Sequence, residues 1–390
     1  MISRILIPVI IAIVLPDLYF DTHYLNRRTR MTWWKRLLWW LPGMLMLAYT
    51  IGLASLRGFV PDDLRWMNVY LVLLGLFVFP KALLALCSAS GLLYCRIRHT
   101  HHNWGNAVGL LLGIFSVYIL FYGSTFGFRQ LEEDHQDLYF KDLPPSFDGY
   151  RMAVFSDAHV GTYQQPSDRK TLQRALEKIN SLQADAILFL GDLQNIQPSE
   201  LYPFQGILSS LKAKDGVFSV LGNHDYSQYI AADPAVKIAN EKETISRERQ
   251  FGWTLLLNEH RVIRRGSDSI VIAGEENDGW RPRVIRADLQ KTLAGVSDKA
   301  FVVMLQHDPS QWRRAILPKC NAQLTLSGHT HGGQFSLFGW RPTMFAYHED
   351  KGLYLDHGRA LYVSAGLGGL LHFRFGVPPQ ITLITLHQLK

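Results

Sequence analysis

Cysteine is scarce in this sequence, which has three in 390 residues. Cys87 and Cys95 lie in the apolar first third of the chain, and Cys320 stands alone in the remainder. No Cys-x-x-Cys pair occurs, so the sequence indicates neither a disulfide framework nor a thiolate zinc site. An isolated cysteine is ordinarily a small buried apolar residue, and we interpret Cys320 in this way. Any metal site in this chain therefore uses other ligands.

Acidic side chains are also scarce in the first third of the chain. Residues 1–128 contain 11 lysines and arginines but 4 aspartates and glutamates; subtracting these from the totals of 40 and 33 leaves 29 of each sign for residues 129–390. The net charge of +7 therefore arises entirely in the first third. Nucleic-acid binding requires basic residues clustered on the folded domain, so we predict no nucleic-acid partner. Basic residues that flank apolar segments instead indicate a membrane protein.

Three apolar runs approach or exceed the ~20 residues that cross a bilayer, and a shorter run precedes them, which we interpret as an uncleaved first transmembrane helix rather than a signal peptide. The four runs cover residues 5–20, 37–56, 67–88 and 107–126. We predict a membrane region of about four transmembrane helices over residues 1–128, with the lipid bilayer as partner. Asp17 interrupts the first run and Lys81 the third. Lys81 is expected either to face the interior of the helix bundle or to extend to one interface.

The orientation of this region follows from the charges of its loops. The loops after the first and third runs hold Arg27, Arg28, Arg30, Lys35, Arg36, Arg96 and Arg98, and the opposite side holds Arg4, Arg57 and Arg65. Basic loops stay in the cytoplasm, so seven against three predicts that everything after the fourth span lies outside it. We expect a multi-pass protein of the inner cell membrane with an extracytoplasmic domain. A miscount of one span would invert this orientation.

The remainder of the chain has the pattern of an α/β domain. We predict a connector over residues 129–148 that includes an edge strand, followed by a domain over 149–390. Apolar runs at 152–155, 186–190, 217–221, 301–305 and 322–326 each end in a polar loop. Helical patterns at 171–182 and 201–211 separate some of these runs, which predicts a functional site at the carboxyl ends of the strands. The strand-rich segment after Gln334 predicts a further sheet.

Eight polar residues stand at those strand ends. They are Asp157, His159, Asp192, Asn223, His224, His307, His329 and His331. Carboxylates, imidazoles and an amide suit hard or borderline cations such as Mn²⁺, Fe or Zn²⁺. Eight candidates exceed the four ligands of one tetrahedral ion. Two ions that share a bridging carboxylate fit the count better.

The motifs that carry these residues resemble those of the calcineurin-like metallophosphoesterases, specifically their membrane-associated bacterial branch. The motifs are Ser-Asp-Ala-His at 156–159, Gly-Asp at 191–192, Gly-Asn-His-Asp at 222–225, His307, and Gly-His-Thr-His-Gly-Gly at 328–333. The resemblance covers roughly residues 140–390. It implies a four-layer fold in which two mixed β-sheets pack face to face with helices outside.

The resemblance also implies a role for each residue. One metal would be held by Asp157, His159 and His331, the other by Asn223, His307 and His329, and Asp192 would bridge them. His224 would act as acid or transition-state stabiliser, oriented by Asp225. Ala158 and Asn195 depart from the family pattern. We expect Asn195, which replaces a common acidic residue, to weaken a contact around the ligands and to alter metal preference.

We therefore predict a membrane-anchored phosphoesterase with two divalent metals, Mn²⁺ foremost. It would hydrolyse a phosphodiester or pyrophosphate bond of a substrate that could be lipid-linked. Some relatives cleave the pyrophosphate of a UDP-diacylglucosamine lipid precursor, which is cytoplasmic and conflicts with the predicted orientation. The alternatives are a phosphomonoesterase, or a sensor or transport-like protein whose metal domain is a binding module. Trp280, Arg281 and Arg283 are candidates for a phosphate or headgroup contact, although we favour a solvated surface for them. Arg374, which follows the glycine-rich segment 366–369, is a further candidate.

Overall fold

The computed structural model describes residues 2–27, 29, 31–56, 64–279 and 284–389. Trp280, Arg281 and Arg283 lie outside the described residues. The chain divides by internal packing into two units, Met1–Ser124 and Thr125–Lys390.

Helices make up most of the described residues of the first unit. Its helices are α1 (Ile2–Phe20), α2 (Trp33–Ala54), α3 (Leu64–Leu73), α4 (Phe79–Arg98) and α5 (Gly105–Thr125). One π-helical turn, Asp21–Leu25, extends α1, and another, Leu74–Val78, joins α3 to α4. The result is four helices long and apolar enough to cross a membrane, Leu6–Leu25, Trp33–Ala54, Arg65–Arg98 and Gly105–Arg129. This confirms the predicted four-span region.

The two charged residues inside the apolar runs are partners. Lys81 on α4 places its Nζ 2.7 Å from Asp17 Oδ1 on α1 and 3.3 Å from the backbone oxygen of Trp39 on α2. Asp17 is 1% exposed. A Cβ on Gly43 of α2 would lie 2.1 Å from Asp17 Oδ2, so this glycine makes room for the carboxylate. Lys81 therefore faces the bundle interior, and the pair joins three helices.

We expect Lys81→Met to destabilise the helical unit, because it leaves the Asp17 carboxylate buried without a counter-charge. Breaking one side of a buried ion pair costs about 3–5 kcal/mol, whereas replacing both sides by neutral groups is often tolerated. The double variant Asp17→Asn/Lys81→Met should therefore recover most of the thermal stability of the detergent-solubilised protein. Arg96→Met, which removes an exposed charge from the same helix, is the control. Equal melting temperatures for Lys81→Met, the double variant and Arg96→Met would contradict this account.

The second unit contains twelve strands and five helices among its described residues. The strands are β1 (Glu132–Phe140), β2 (Tyr150–Phe155), β3 (Ala186–Phe189), β4 (Val217–Ser219), β5 (Thr254–Leu255), β6 (Glu259–Arg265), β7 (Asp268–Gly274), β8 (Phe301–Leu305), β9 (Leu324–Ser327), β10 (Gly352–Asp356), β11 (Arg359–Val363) and β12 (Gln380–Gln388). The helices are α6 (Pro166–Ser181), α7 (Gln205–Leu208), α8 (Pro234–Gln250), α9 (Leu289–Thr292) and α10 (Leu317–Lys319).

These strands form two mixed six-stranded sheets, ordered β1-β12-β2-β3-β4-β5 and β10-β11-β9-β8-β7-β6. Strands β2 to β5 run parallel in the first sheet, and β7, β8, β9 and β11 run parallel in the second. Antiparallel partners lie at β12, β6 and β10. Parallel strands buried on both faces read as continuous apolar runs, which is why the sequence revealed them.

The sheets pack face to face. Met152 and Val154 of β2 share one buried apolar cluster with Ile272 of β7 and Val303 of β8. The opposite face of the first sheet packs on α6, and the outer face of the second packs on Trp312 and the turn that follows it. Helix, sheet, sheet and helix make four layers, which confirms the predicted fold class.

Two local predictions are corrected, and the predicted edge strand within residues 129–148 is present. The strands after Gln334 form no further sheet: β10 and β11 extend the second sheet, and β12 inserts between β1 and β2 of the first. The predicted helix at 201–211 is divided: residues 201–204 belong to a 3₁₀ segment, Pro198–Phe204, and the short α7 follows it. Pro203 inside this segment lacks the backbone N–H that a continuous α-helix requires. Residues 129–148 contain β1, an edge strand parallel to β12.

Candidate metal centre

Each of the seven predicted metal ligands follows the carboxyl end of a strand. Asp157 and His159 follow β2, Asp192 follows β3, Asn223 follows β4, His307 follows β8, and His329 and His331 follow β9. Strands β2, β3 and β4 are parallel in one sheet, as β8 and β9 are in the other. Parallel strands end at one edge, so the two packed sheets bring these side chains together.

The side chains form two adjoining groups of metal-ligating atoms. One contains Asp157, His159 and His331, the other contains Asp192, His307 and His329, and within each group the ligating atoms lie within 4.8 Å of one another. Asp192 Oδ2 lies 3.7 Å from His159 Nε2 and 3.1 Å from His307 Nε2, so it faces both groups. Asn223 Oδ1 lies 2.8 Å from His329 Nδ1 and belongs with the second.

The backbone at this centre is strained in a consistent way. Asp157, His159, Asp192, His329 and His331 all have φ between +43° and +74°. Non-glycine residues rarely adopt this region, and such strain concentrates at functional sites. Glycines make the close approaches possible, since a Cβ on Gly222 would lie 2.2 Å from Asp192 Oδ1 and one on Gly328 would lie 2.4 Å from Asp157 Oδ2.

Burial keeps three of the imidazoles neutral. It lowers the pKa of His159 to about 3, lowers that of His331 well below its usual value, and lowers that of His329. Burial also works against protonation of His307, yet the Asp192 carboxylate raises the pKa of His307 to about 10. Neutral imidazole is the form that ligates metals, so an ion at His307 has to displace a proton.

The donor set fits divalent cations. Both ring nitrogens of His159 and Nδ1 of His331 are buried and make no hydrogen bond within the described part of the protein. Buried polar atoms are ordinarily satisfied, and His159 Nε2 and His307 Nε2 both lie near the Asp192 carboxylate, at 3.7 and 3.1 Å, so these nitrogens indicate ligands. The Nδ1 of His307 lies 2.7 Å from the carbonyl of Leu190, which can only accept. The Nδ1 therefore carries the proton, and Nε2 is left for a metal.

His224 stands beside the ligands but is held differently. Its Nδ1 lies 2.5 Å from the carbonyl oxygen of Asn195, and its ring stacks on Tyr229 with centroids 4.4 Å apart. It also groups with His159 and Asp192 within ligating distance. Because the carbonyl can only accept, the proton is on Nδ1 and Nε2 is free to exchange a proton or bind an ion.

The Asp225 carboxylate bonds to backbone amides, and among the described residues no hydrogen bond joins it to the His224 ring. The carboxylate accepts the backbone N–H groups of Asp192 and Gly222 at 2.8 Å, Leu193 at 2.9 Å and Gln194 at 3.3 Å. It therefore holds the loop that presents Asp192. The carbonyl of Asn195 takes the position beside His224 that the sequence assigned to Asp225.

Asn195 contributes through its backbone as well as its side chain. Its N–H donates to Glu200 Oε2 at 2.6 Å, and its side-chain amide donates to Thr162 Oγ1 at 2.9 Å. These bonds fix the carbonyl that faces His224. The departure from the family pattern thus lies next to the candidate acid, while its predicted effect on metal preference stays a prediction.

Sequence reasoning missed two tyrosines at the centre. Tyr347 places its hydroxyl 2.9 Å from His329 Nε2, so that Nδ1 of this ring points toward Asn223. Tyr229 accepts a hydrogen bond from the side-chain NH₂ of Asn223 at 2.9 Å, which leaves Asn223 Oδ1 facing His329. Neither tyrosine lies in a recognisable motif. A third residue beside His329 is Asp308, whose carboxylate lies 3.7 Å from His329 Nε2. Its position directly after His307 is the only sequence signal for a further group around this ring.

We expect Tyr347→Phe to weaken one of two metal sites. The hydroxyl fixes the His329 ring, and loss of such a contact typically costs about 10–100-fold in metal affinity. Titration of the metal-free full-length protein with Mn²⁺ would measure the two affinities. Tyr202→Phe removes a hydroxyl bonded to Glu243 on the exposed surface and is the control. Unchanged affinity at both sites would show that Tyr347 does not position this ligand.

Arg374 is not a surface contact for a phosphate or headgroup. It is fully buried, and its guanidinium donates to the carbonyl oxygens of Ala365, Gly368, Val377 and Pro378. These bonds stabilise the chain between β11 and β12. The sequence signal was misleading because glycine-rich loops hold phosphates and also expose carbonyls that an arginine can bind.

Comparison with known proteins gives matches over both units. The family described as "Calcineurin-like phosphoesterase" matches residues 150–333. The family described as "Probable Calcineurin-like phosphoesterase, transmembrane domain" matches residues 3–128.

Similar proteins occur in bacteria and in a vertebrate. The chain is 30% identical over 251 residues to the uncharacterized metallophosphoesterase YkuE of Bacillus subtilis, covering 63% of this chain and 81% of that one. It is 30% identical over 252 residues to a transmembrane protein with metallophosphoesterase domain of Danio rerio, covering 61% and 52%. It is 28% identical over 298 residues to the UDP-2,3-diacylglucosamine pyrophosphatase LpxG of Chlamydia trachomatis, covering 62% and 86%.

Proposed function

Because the chain belongs to the calcineurin-like metallophosphoesterases, we propose that it hydrolyses a phosphodiester or pyrophosphate bond of a lipid-linked substrate at the membrane. As a member of this family it is a phosphoric ester hydrolase that uses divalent metal ions. The substrate, the metal identity and the residue roles below are our proposals.

The observation that carries the proposal is the position of Asp192 between two groups of ligating atoms. Its Oδ2 faces His159 on one side and His307 on the other. A shared carboxylate is the arrangement that two-metal hydrolases use to clamp a phosphoryl group. We assign Asp157, His159 and His331 to one ion and Asn223, His307 and His329 to the other, with Mn²⁺ foremost and Fe or Zn²⁺ as alternatives.

When bound, the two ions supply a nucleophile near neutral pH and neutralise charge on the phosphoryl oxygens. The residues of the chain do the rest. Asp225 holds the Asp192 loop through four backbone N–H groups. Asn195 keeps the His224 proton on Nδ1, so that Nε2 can pass a proton to the leaving oxygen once the ring is protonated.

The lipid-linked substrate is supported by two independent features. The chain carries four helices that are apolar enough to cross a membrane. One relative, aligned over 86% of its own length, is named as a pyrophosphatase of UDP-2,3-diacylglucosamine. A membrane anchor confines an enzyme to the surface where lipid-linked phosphoesters lie.

We also propose, from the loop charges, that the catalytic unit is extracytoplasmic. A UDP-linked lipid precursor lies in the cytoplasm, so this orientation favours another lipid-linked ester. The orientation would be decided by comparing protease cleavage of the protein in intact cells with its cleavage in inverted membrane vesicles. Cleavage of the second unit in intact, outer-membrane-permeabilised cells supports our proposal, and cleavage only in inverted vesicles contradicts it.

The activity test uses the full-length protein in detergent. The full-length protein is used because a truncation at residue 140 would remove strand β1 from the first sheet. We would compare bis-p-nitrophenyl phosphate, p-nitrophenyl phosphate and a lipid-linked pyrophosphate in mixed micelles, each with added Mn²⁺. We expect metal-dependent turnover that is fastest on the lipid-linked compound and faster on the diester than on the monoester.

The possible outcomes separate the proposals. Preference for p-nitrophenyl phosphate would establish a phosphomonoesterase and contradict the diester proposal. Equal rates on soluble and lipid-linked diesters would contradict the lipid-linked substrate alone. Failure to bind any metal would overturn the proposed centre.

A further inference from the structure

An apolar hairpin lies directly after the Gly-His-Thr-His-Gly-Gly motif. We define the apolar tip as Phe338, Trp340, Met344 and Phe345, which are 100%, 47%, 51% and 82% exposed. Trp340 and Phe345 contact each other, with ring centroids 5.9 Å apart. Single exposed apolar residues are ordinary, but a cluster of large ones on one surface segment marks an interaction site.

The backbone holds Phe338 in a conformation that aromatic residues avoid. Leu337 and Trp340 exchange two backbone hydrogen bonds of 3.0 Å around a two-residue turn. Its central residues, Phe338 and Gly339, have φ of +51° and +82°. Such turns strongly favour asparagine before glycine, and a bulky residue there is strained. A fully exposed phenylalanine in a strained position indicates that the exposed ring itself has a function.

The hairpin is rigid below its tip. Arg341 forms two bonds of 2.7 and 2.9 Å with the Asp350 carboxylate, and Thr343 donates to the same group at 2.9 Å. Phe335 stacks on Phe375, and Ser336 donates its N–H to the Phe375 carbonyl at 2.7 Å. The apolar side chains are therefore presented on a fixed support.

We propose that the apolar tip inserts into the interfacial region of a lipid bilayer. The chain carries four membrane-crossing helices, so the second unit is always tethered near a bilayer, at high effective concentration. Phenylalanine and tryptophan favour the membrane interface. Between residues 335 and 347 the sequence has one charged side chain, Arg341, and its charge is paired with Asp350. An exposed apolar tip without an unpaired charge suits insertion into lipid.

The inserted tip would bring the candidate metal centre to the membrane surface. The same segment ends at Tyr347, whose hydroxyl contacts His329. The proposal does not rest on a lipid-linked substrate, because it concerns where the unit contacts the bilayer. It would, however, explain how the centre reaches phosphates at the headgroup level.

The test places an environment-sensitive fluorophore on the full-length protein in lipid nanodiscs. Cys87, Cys95 and Cys320 are first replaced by alanine, and metal-dependent hydrolysis confirms that this background folds. Phe338→Cys or Phe345→Cys then carries the label, and Val236→Cys on α8, 45% exposed in the native chain, is the control site. We expect lipids labelled with a quencher near the headgroup to quench positions 338 and 345 at least threefold more than position 236, with the reverse order for aqueous iodide.

Two outcomes would overturn the proposal. The tip lies in water if iodide quenches the label at position 338 as strongly as the label at position 236 and the lipid-bound quencher has no effect on either. Protection from iodide that depends on the number of protein copies per disc would identify a second copy as the partner instead.

A second variant tests whether the strain at Phe338 serves insertion. Phe338→Asn suits the turn, so we expect a higher thermal midpoint in detergent together with at least twofold weaker lipid quenching of a label at 345. Leu355→Asn, on β10 and 71% exposed in the native chain, is the matched control and should leave quenching unchanged. Undiminished quenching in Phe338→Asn would show that this ring does not contribute to insertion.

Discussion

Replacing Asp192 by alanine is expected to lower the rate of metal-dependent hydrolysis at least about 1,000-fold, which corresponds to a loss of about 4 kcal/mol of transition-state stabilisation. Its carboxylate oxygen lies 3.7 Å from His159 Nε2 and 3.1 Å from His307 Nε2, so one substitution removes a ligand from both proposed ions. Metal content and hydrolysis of bis-p-nitrophenyl phosphate by the full-length protein would be measured together. Both should fall.

Asp192 also has a structural contact that needs its own control. Its Oδ1 accepts the backbone N–H of His224 at 2.8 Å. Asp192→Asn keeps an acceptor of the same shape but loses the charge, so it separates lost ligation from a disturbed loop. Asp298→Ala removes an exposed carboxylate and should change nothing. Retention of two metals and of turnover in Asp192→Asn would contradict the bridging role.

The positions of the ligands could be predicted because of how parallel strands are built. A strand buried on both faces appears as a short apolar run, and the first polar residues after it lie at the edge where parallel strands end together. Asp157, Asp192 and His307 each follow such a run directly or within three residues. Local pattern alone therefore placed them in one centre. The four spans were equally visible, since length and hydropathy are local properties.

What the sequence did not reveal depends on contacts between distant residues. Strand β12 pairs in parallel with β1 and antiparallel with β2, although more than 220 positions separate it from either. The pairing of Asp17 with Lys81 and the contact of Tyr347 with His329 are also non-local. The bonds of Asp225 could not be read from the sequence for a different reason: the resemblance implies a role beside His224, whereas the turn directs the carboxylate to backbone amides.

We expect replacement of His224 to separate chemistry from metal binding. His224→Asn should lower kcat by roughly 100–10,000-fold, the usual contribution of a positioned proton donor, with both metals retained. The structure alone leaves two roles for this ring, since it lies within ligating distance of His159 and Asp192. Its Nδ1 is held by the Asn195 carbonyl and its face by Tyr229, an arrangement that positions Nε2 without needing an ion.

The dependence on leaving group decides between the two roles. A proton donor matters most when the leaving oxygen is strongly basic, so the loss in His224→Asn should be large for an alkyl phosphodiester and small for a p-nitrophenyl ester. A metal ligand would instead lower both rates equally, together with the metal content. Tyr202→Phe, which removes a hydroxyl bonded to Glu243 on the exposed surface, is the control and should retain the activity on both esters. Unchanged turnover in His224→Asn would remove His224 from the mechanism and leave the two-metal centre without an assigned acid.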